Sequence, residues 1–321
     1  MTFLIGTDEA GYGPNLGPLV ISATAWHVPD ERDFPDLFTV LADCIAREPM
    51  RNGTRHVPMA DSKTLYSSGA TLANLEMGVF ASLAAVGLIP RSWKEIWAVL
   101  DAASETCITA DPWFRNYQES LPVDLDAMQL ECGTDALAIG LQAAQVSLRK
   151  MRSRVVFPEE FNELCERHGN NKGAALSALT LELVRDMLAD ADDCRILVQC
   201  DKHGGRNKYC ALLQHYFPDD LIEVRKEGRE ESIYRCGPTT RRVEFRFVAK
   251  GESFLPSALA SMISKYLREL AMRAFNHFWC TQIPNLKPTA GYPTDAVRFK
   301  AEILSLQKEL GFSDRVLWRN R

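Results

Sequence analysis

Apolar runs and polar breaks divide the chain into strands first and alternating helices and strands later. Residues 3–8 and 18–26 are apolar runs on either side of a Gly/Pro loop, which predicts two strands joined by a tight hairpin. The stretch "TLANLEMGVFASLAAVGL" (71–88) predicts a helix ending at Gly87, and helices follow at about 133–153, 158–168 and 174–190. "RILVQCD" (195–201) is a short alternating apolar run that ends in an acid. "LIEVRK" (221–226) and "VEFRFVAK" (243–250) are further strands. Between them "EGREESIYRCGPTTRR" is polar and charged and reads as a protruding hairpin or loop. A long amphipathic helix runs from Pro256 to about residue 279, and a last helix covers roughly 294–310. This order predicts an α/β fold, a mixed sheet with helices on its faces.

Three of the predicted strands deliver acids at the same kind of end. Asp8 and Glu9 close the first, Asp201 closes "RILVQCD", and Glu252 follows "VEFRFVAK". Each acid taken alone is compatible with a solvated turn. If the three strands are neighbours, however, four carboxylates converge, and such a group stays ionised only with protons or cations to neutralise it. Hard oxygen ligands favour Mg²⁺ or Mn²⁺. Two such ions, about 3.5–4 Å apart, are the usual apparatus for hydrolysing a phosphodiester. The helix after Glu252 carries an apolar stripe of Leu259, Met262, Ile263, Tyr266, Leu267 and Leu270. A second stripe holds Ser257, Ser261, Ser264, Lys265 and Arg268. Small hydroxyls with Lys and Arg suit a phosphate backbone; a solvated face is the alternative reading of the same stripe.

Composition adds few constraints. With 321 residues the chain can bury a substantial core, as one large domain or two small ones. Its formal charge of −5 does not exclude nucleic acid, because a local basic groove can sit on an acidic molecule. Nine cysteines are scattered singly, without a CxxC pair, as expected of reduced thiols in the cytoplasm. Neither a signal peptide nor an apolar run of membrane-spanning length is present, so a cytoplasmic protein with no membrane partner is expected.

"GTDEAGYGPNLGPLV" resembles the first motif of type 2 ribonuclease H, usually DEAGRGPxxGPxV. "ADSKTL" (60–65) resembles that family's DSK segment, and "ILVQCD" followed by "YCALLQHYFP" its third-carboxylate strand and next helix. "FVAKGESFLPSALASMISKYLREL" is similar to its KADAxxPxxxAASIxAKxxRD block, "AGYPTD" (290–295) to its GYP motif, and "FSDRVLWRN" to its closing strand. The resemblance implies a ribonuclease H-like catalytic domain over 1–270, with insertions at about 100–160 and 227–242, and a helical C-terminal part over 271–321 packed on it. It also implies metal-dependent hydrolysis of the RNA strand of RNA–DNA hybrids by a monomer. By this resemblance Asp8, Glu9, Asp201 and Glu252 are the catalytic residues and hold two Mg²⁺ or Mn²⁺ ions. The resemblance also implies that the Gly11 and Gly13 backbone faces the ribose, that Lys63 and Lys265 meet phosphates and that Tyr292 lies near the sugar at an RNA–DNA junction; Tyr12, in the same loop, and Ser261 and Arg268, on the helix stripe, are further candidate substrate contacts.

Two positions depart from the family pattern. Tyr12 stands where the motif has arginine, and Glu252 where it has aspartate. These changes motivate two alternatives: a nuclease of altered specificity, acting on another duplex or a structured RNA, and a non-catalytic nucleic-acid-binding module on the same fold. His203, in a polar Gly-Gly loop, reads as solvated surface, and Asp61 as a turn former.

Overall fold

Alternation of side chains along a strand lets one strand supply two cores. In β1 (Thr2–Ala10), Phe3 and Ile5 face one side of the sheet and Leu4 and Gly6 the other. The computed structural model describes residues 1–30, 34–51, 55–104, 111–191, 193–249 and 251–320; the side chains of Ser104 and Glu252 lie outside that description. β1 pairs antiparallel with β2 (Leu19–Val28), placing Asp8 opposite Ser22. After the two-stranded ribbon β3 (Ile45–Ala46) and β4 (Val57–Pro58), the main sheet gains β5 (Ser147–Val156), β6 (Arg195–Asp201), β7 (Glu223–Lys226), β8 (Glu231–Cys236) and β9 (Val243–Val248). Its order is β5-β2-β1-β6-β9-β8-β7, with β1, β6 and β9 parallel to one another. The expected α/β class, a mixed sheet flanked by helices with a helical C-terminal region, is what the chain forms.

The helices are α1 (Leu37–Val40), α2 (Ser62–Leu65), α3 (Ala73–Ala85), α4 (Trp93–Leu100), α5 (Pro112–Arg115), α6 (Ala127–Ala143), α7 (Pro158–Arg167), α8 (Lys172–Leu188), α9 (Cys210–Tyr216), α10 (Leu255–Gln282), α11 (Pro293–Glu309) and α12 (Asp314–Leu317). α10 lies across β1 and β2 on the face that carries Leu4 and Gly6, while α8 covers the opposite face. Gly6 permits the close approach of α10: a methyl there would stand 2.2 Å from the Ser257 amide nitrogen.

Several sequence expectations change. The helix expected over 133–153 ends at Ala143, and its second half is β5. Leu148, Met151, Ser153 and Val155 are buried there while Arg149 and Arg152 are exposed. Arginine and lysine are good helix formers, so their exposed positions disguise a strand whose partner is β2. Residues 147–156 of the segment 100–160 are therefore built into the sheet. Buried Asp101 ties them down by accepting from the Val155 amide at 2.7 Å. The polar stretch 227–242 does not protrude either: β8 lies between β7 and β9, with Ser232, Tyr234 and Cys236 buried. The boundary expected at 270 falls inside α10, which runs unbroken through it. The closing strand is the short helix α12 followed by one antiparallel bridge, Leu16 to Trp318.

Candidate active site

The condition that three acid-bearing strands be neighbours is met. β1, β6 and β9 lie side by side and parallel, so Asp8, Asp201 and the turn after β9 share one edge of the sheet. In open α/β sheets ligands bind at such carboxyl ends. The register that sets Gly6 beside Gln199 brings Asp8 level with Asp201, and Asp201 is paired with Val248. The turn Gly251–Ser253 contains Glu252. Its Gly251 amide donates to Asp201 Oδ1 at 2.8 Å, so the backbone of Glu252 abuts the site, while its side chain lies outside the described residues.

Electrostatics single these acids out. Burial, followed by the charges of Glu9 and Asp201, holds the Asp8 carboxyl well above the usual carboxylate range, against a hydrogen bond from Ser261. Burial and Asp201 push Glu9 up to about 7, with Lys63 pulling the other way. Like charges and desolvation together disfavour ionisation. No group of three or more His, Cys, Asp or Glu side chains among the described residues is arranged to hold a metal ion. Successive side chains on a strand alternate between faces, so Asp8 and Glu9 reach the field of Asp201 from different sides. The donor set nevertheless fits a hard divalent cation: it consists of carboxylate oxygens whose negative field is only partly offset by Lys63.

The helix α10 supports this edge from beneath. Its hydroxyl stripe faces neither solvent nor phosphate. Ser264 donates to the Asp8 carbonyl at 3.0 Å and lies 2.8 Å from Ser22 Oγ. Ser257 donates to the Gln199 carbonyl at 3.4 Å. Ser261 is buried and contacts Ser62 Oγ at 3.1 Å, besides its bond to Asp8. It also accepts from the Ser62 amide at 3.2 Å, docking the "ADSKTL" segment against the acids. Asp61 caps α2, accepting from the Lys63 amide at 2.8 Å, as its reading as a turn former requires. The cap leaves the Lys63 side chain 86% exposed yet close enough to lower the pKa of Glu9. Lys265 is engaged by Glu269, and its ammonium stands 5.0 Å from the Tyr66 ring centroid.

Arg268 is a correction. It is buried, and its guanidinium donates to the carbonyls of Pro18 at 2.7 Å, Leu16 at 3.2 Å and Ala290 at 3.0 Å. All these acceptors are backbone, so Arg268 is a strut beneath the Gly11–Pro18 loop, not a phosphate contact. Ser261 likewise positions Asp8 and α2 from within the protein. Arg319, which lies in "FSDRVLWRN" but is not among the expected site residues, is a second strut: it is 1% exposed and donates to the carbonyls of Gly11 and Pro14. A lone arginine near the chain's end carries no sequence signal for this role.

These struts shape the glycine loop. Gly11 has φ +89°, and a methyl there would lie 2.5 Å from the Pro18 carbonyl oxygen. Gly13 is exposed with open space around it. The turn at 290–293 is joined to the same loop, because the Gly291 carbonyl accepts from the Asn15 amide at 2.8 Å. Tyr292 at that turn is 55% exposed. Tyr12 sits with Lys172 Nζ 4.6 Å from its ring centroid. His203 is another correction: it is 3% exposed, with Nδ1 3.0 Å from Ser177 Oγ. Ser177 donates its proton to the Gly173 carbonyl at 2.8 Å, so Nδ1 is the donor to Ser177. Burial pushes the imidazole pKa down to about 3.

No protein-family model matches the sequence, and no curated protein does. Solved structures similar to the chain are ribonucleases H. RNase HII of Archaeoglobus fulgidus, in its complex with PCNA, aligns with 99% of this chain and 94% of its own, at 15% identity and TM-score 0.44. Ribonuclease H2 of Pyrococcus horikoshii OT3 aligns with 98% of this chain and 92% of its own, at 15% identity and TM-score 0.43. Bst-RNase HIII in complex with Mn²⁺ aligns with 99% of this chain and 66% of its own, at 14% identity and TM-score 0.40. No helix among the described residues is long and apolar enough to cross a membrane.

Proposed function

We propose that the chain is a metal-dependent endonuclease that hydrolyses the RNA strand of RNA–DNA hybrids. The observation that carries the reading is the trio Asp8, Glu9 and Asp201 at the ends of adjacent parallel strands, with the carboxyls of Asp8 and Glu9 driven toward protonation by burial and mutual repulsion. A bound pair of Mg²⁺ or Mn²⁺ ions would relieve that repulsion and supply Lewis-acid activation of water and stabilisation of the leaving oxygen. Asp8, Glu9, Asp201 and Glu252 would hold the ions. Ser261 and Gly251 keep the first and third of these acids in place. Lys63 is exposed, with its ammonium 4.0 Å from Asp61 and close enough to act on Glu9, and would be the cation of "ADSKTL" that meets a phosphate. Gly13 offers open backbone, and Tyr292 an exposed ring, on the loop beside the acids where the sugar would lie.

The test is cleavage of labelled substrates with several, one or no ribonucleotides in Mg²⁺ and in Mn²⁺. Cutting of the hybrid that disappears in Asp8→Asn or Asp201→Asn, with folding unchanged, is the expected result. Undiminished cutting by either variant refutes the assignment. Tyr12 and Glu252, the two departures from the motif pattern, motivate one second reading, a nucleic-acid-binding module without turnover. Hybrid binding with no cleavage in either metal would select it.

A further inference from the structure

Tyr12 stands in the glycine loop beside the acids, and its side chain carries no positive charge. The structure brings one from elsewhere. Lys172, the first residue of α8, places its ammonium over the Tyr12 ring, 4.6 Å from the centroid. The two residues are far apart in sequence, and only the fold joins them. The ring is also fixed at its other end. Methyls built on Gly173 and Gly204 would stand 3.5 Å and 3.3 Å from the Tyr12 hydroxyl, so this oxygen rests against the start of α8 and the loop after Asp201. Tyr12 is therefore packed between the Lys172 ammonium and these two segments, with Glu9 close enough for its charge to act on the Tyr12 hydroxyl.

Two independent features make this corner attractive to an anion. A lysine in the first turn of a helix opposes the macrodipole, whose positive end favours negative groups. The same charge sign is built in behind the loop. Arg268 and Arg319 are both buried there, and their recorded hydrogen bonds go to carbonyls. Arg319 Nε and Nη1 are buried without a hydrogen-bond partner among the described residues. Three cations thus surround a loop whose outward glycine, Gly13, meets open space.

We propose that Lys172, carried on the Tyr12 ring, recognises a phosphodiester of the nucleic-acid strand lying against Gly11–Gly13, replacing a cation absent from position 12. The inference rests on the nuclease reading and assigns a substrate-binding residue to it. A phosphate contact contributes a slope of about −0.9 to the dependence of log affinity on log salt, a signature that a purely structural residue lacks.

The experiment measures binding of a fluorescein-labelled RNA–DNA hybrid to the full chain by anisotropy, in EDTA over a series of NaCl concentrations, alongside cleavage in Mg²⁺. Lys172→Gln is expected to weaken binding about fivefold and to flatten the salt slope by about one phosphate's worth. Lys172→Arg is expected to preserve both. Adding Tyr12→Arg to Lys172→Gln is expected to restore the slope by returning the charge to the loop. Wild-type affinity and slope in Lys172→Gln, in a protein that cuts hybrids, would overturn this inference and leave the nuclease reading standing. A wild-type chain that neither binds nor cuts hybrids would overturn the nuclease reading, and this inference with it.

Discussion

Glu76 and the trio Asp8, Glu9 and Asp201 are all carboxylates set into the protein, and they are treated in opposite ways. Glu76 is wholly buried and accepts from the amides of Val123, Asp124 and Leu125 and from the Tyr266 hydroxyl, the last at 2.9 Å. It locks the 121–125 loop to α3 and α10. Each lone pair turned inward has a donor, which is how a buried charge is tolerated. At the sheet edge the acids instead raise one another's pKa from the two sides of the sheet. Ser261 and the Glu9 amide favour the ionised form of Asp8, Lys63 and a backbone amide that of Glu9, and the Gly251 amide donates to Asp201. A carboxylate saturated with donors holds structure, whereas carboxylates that raise one another's pKa would, in the proposed reading, hold a cation.

The contrast can be broken most decisively at Asp201. Asp201→Asn should lower hybrid cleavage by about a thousandfold, about 4 kcal/mol in activation free energy, without lowering the melting temperature, because removing one of three like charges relieves strain. A variant that melts early, or one that cuts normally, would erase the distinction. Next in size is Glu76→Gln, which sets an NH₂ group against backbone donors. Leaving them unpaired should cost about 2–4 kcal/mol of stability, seen as a lower denaturant midpoint, with the cleavage rate of the remaining folded protein little changed.

Gly11→Ala comes third. Its positive φ and the nearby Pro18 carbonyl make any side chain strained, at about 1–3 kcal/mol. We expect lower activity and a modest loss of stability together, since the loop is shared by both struts. Loss of neither would show that the loop relaxes freely.

The smallest expected effect is in pH dependence, and its sign is informative. Glu9 rises from its ordinary 4.5 to about 7 on folding, so the native state binds a proton more tightly than the unfolded chain between those values. Stability of the metal-free protein should therefore fall as pH rises from about 4.5 to about 7, then level off. Asp8, raised in the same direction, adds to the trend. Melting curves across that window should show the slope without Mg²⁺ and lose it when Mg²⁺ replaces the protons. A flat profile without metal would mean that the acids do not share a field.

Local pattern by itself determined the hairpin, the acid at the end of each of three strands, the long helix after Glu252 and the cap at Asp61. Each depends on residues within a turn or a strand of one another, where steric and hydrogen-bond preferences act directly. Only the tertiary structure decided that β5 is a strand, since its arginines and lysines suit a helix equally and pairing with β2 settled the matter. The same holds for the hydroxyl stripe of α10, which turns inward because Gly6 lets the helix press on β1. Arg268 and Arg319 became struts, His203 became buried, and Lys172 came to rest on Tyr12 through contacts between segments distant in the chain. An ionisable side chain looks the same in sequence whether it meets solvent, a carbonyl or another charge. Its partner is chosen by packing, and packing is a property of the whole fold.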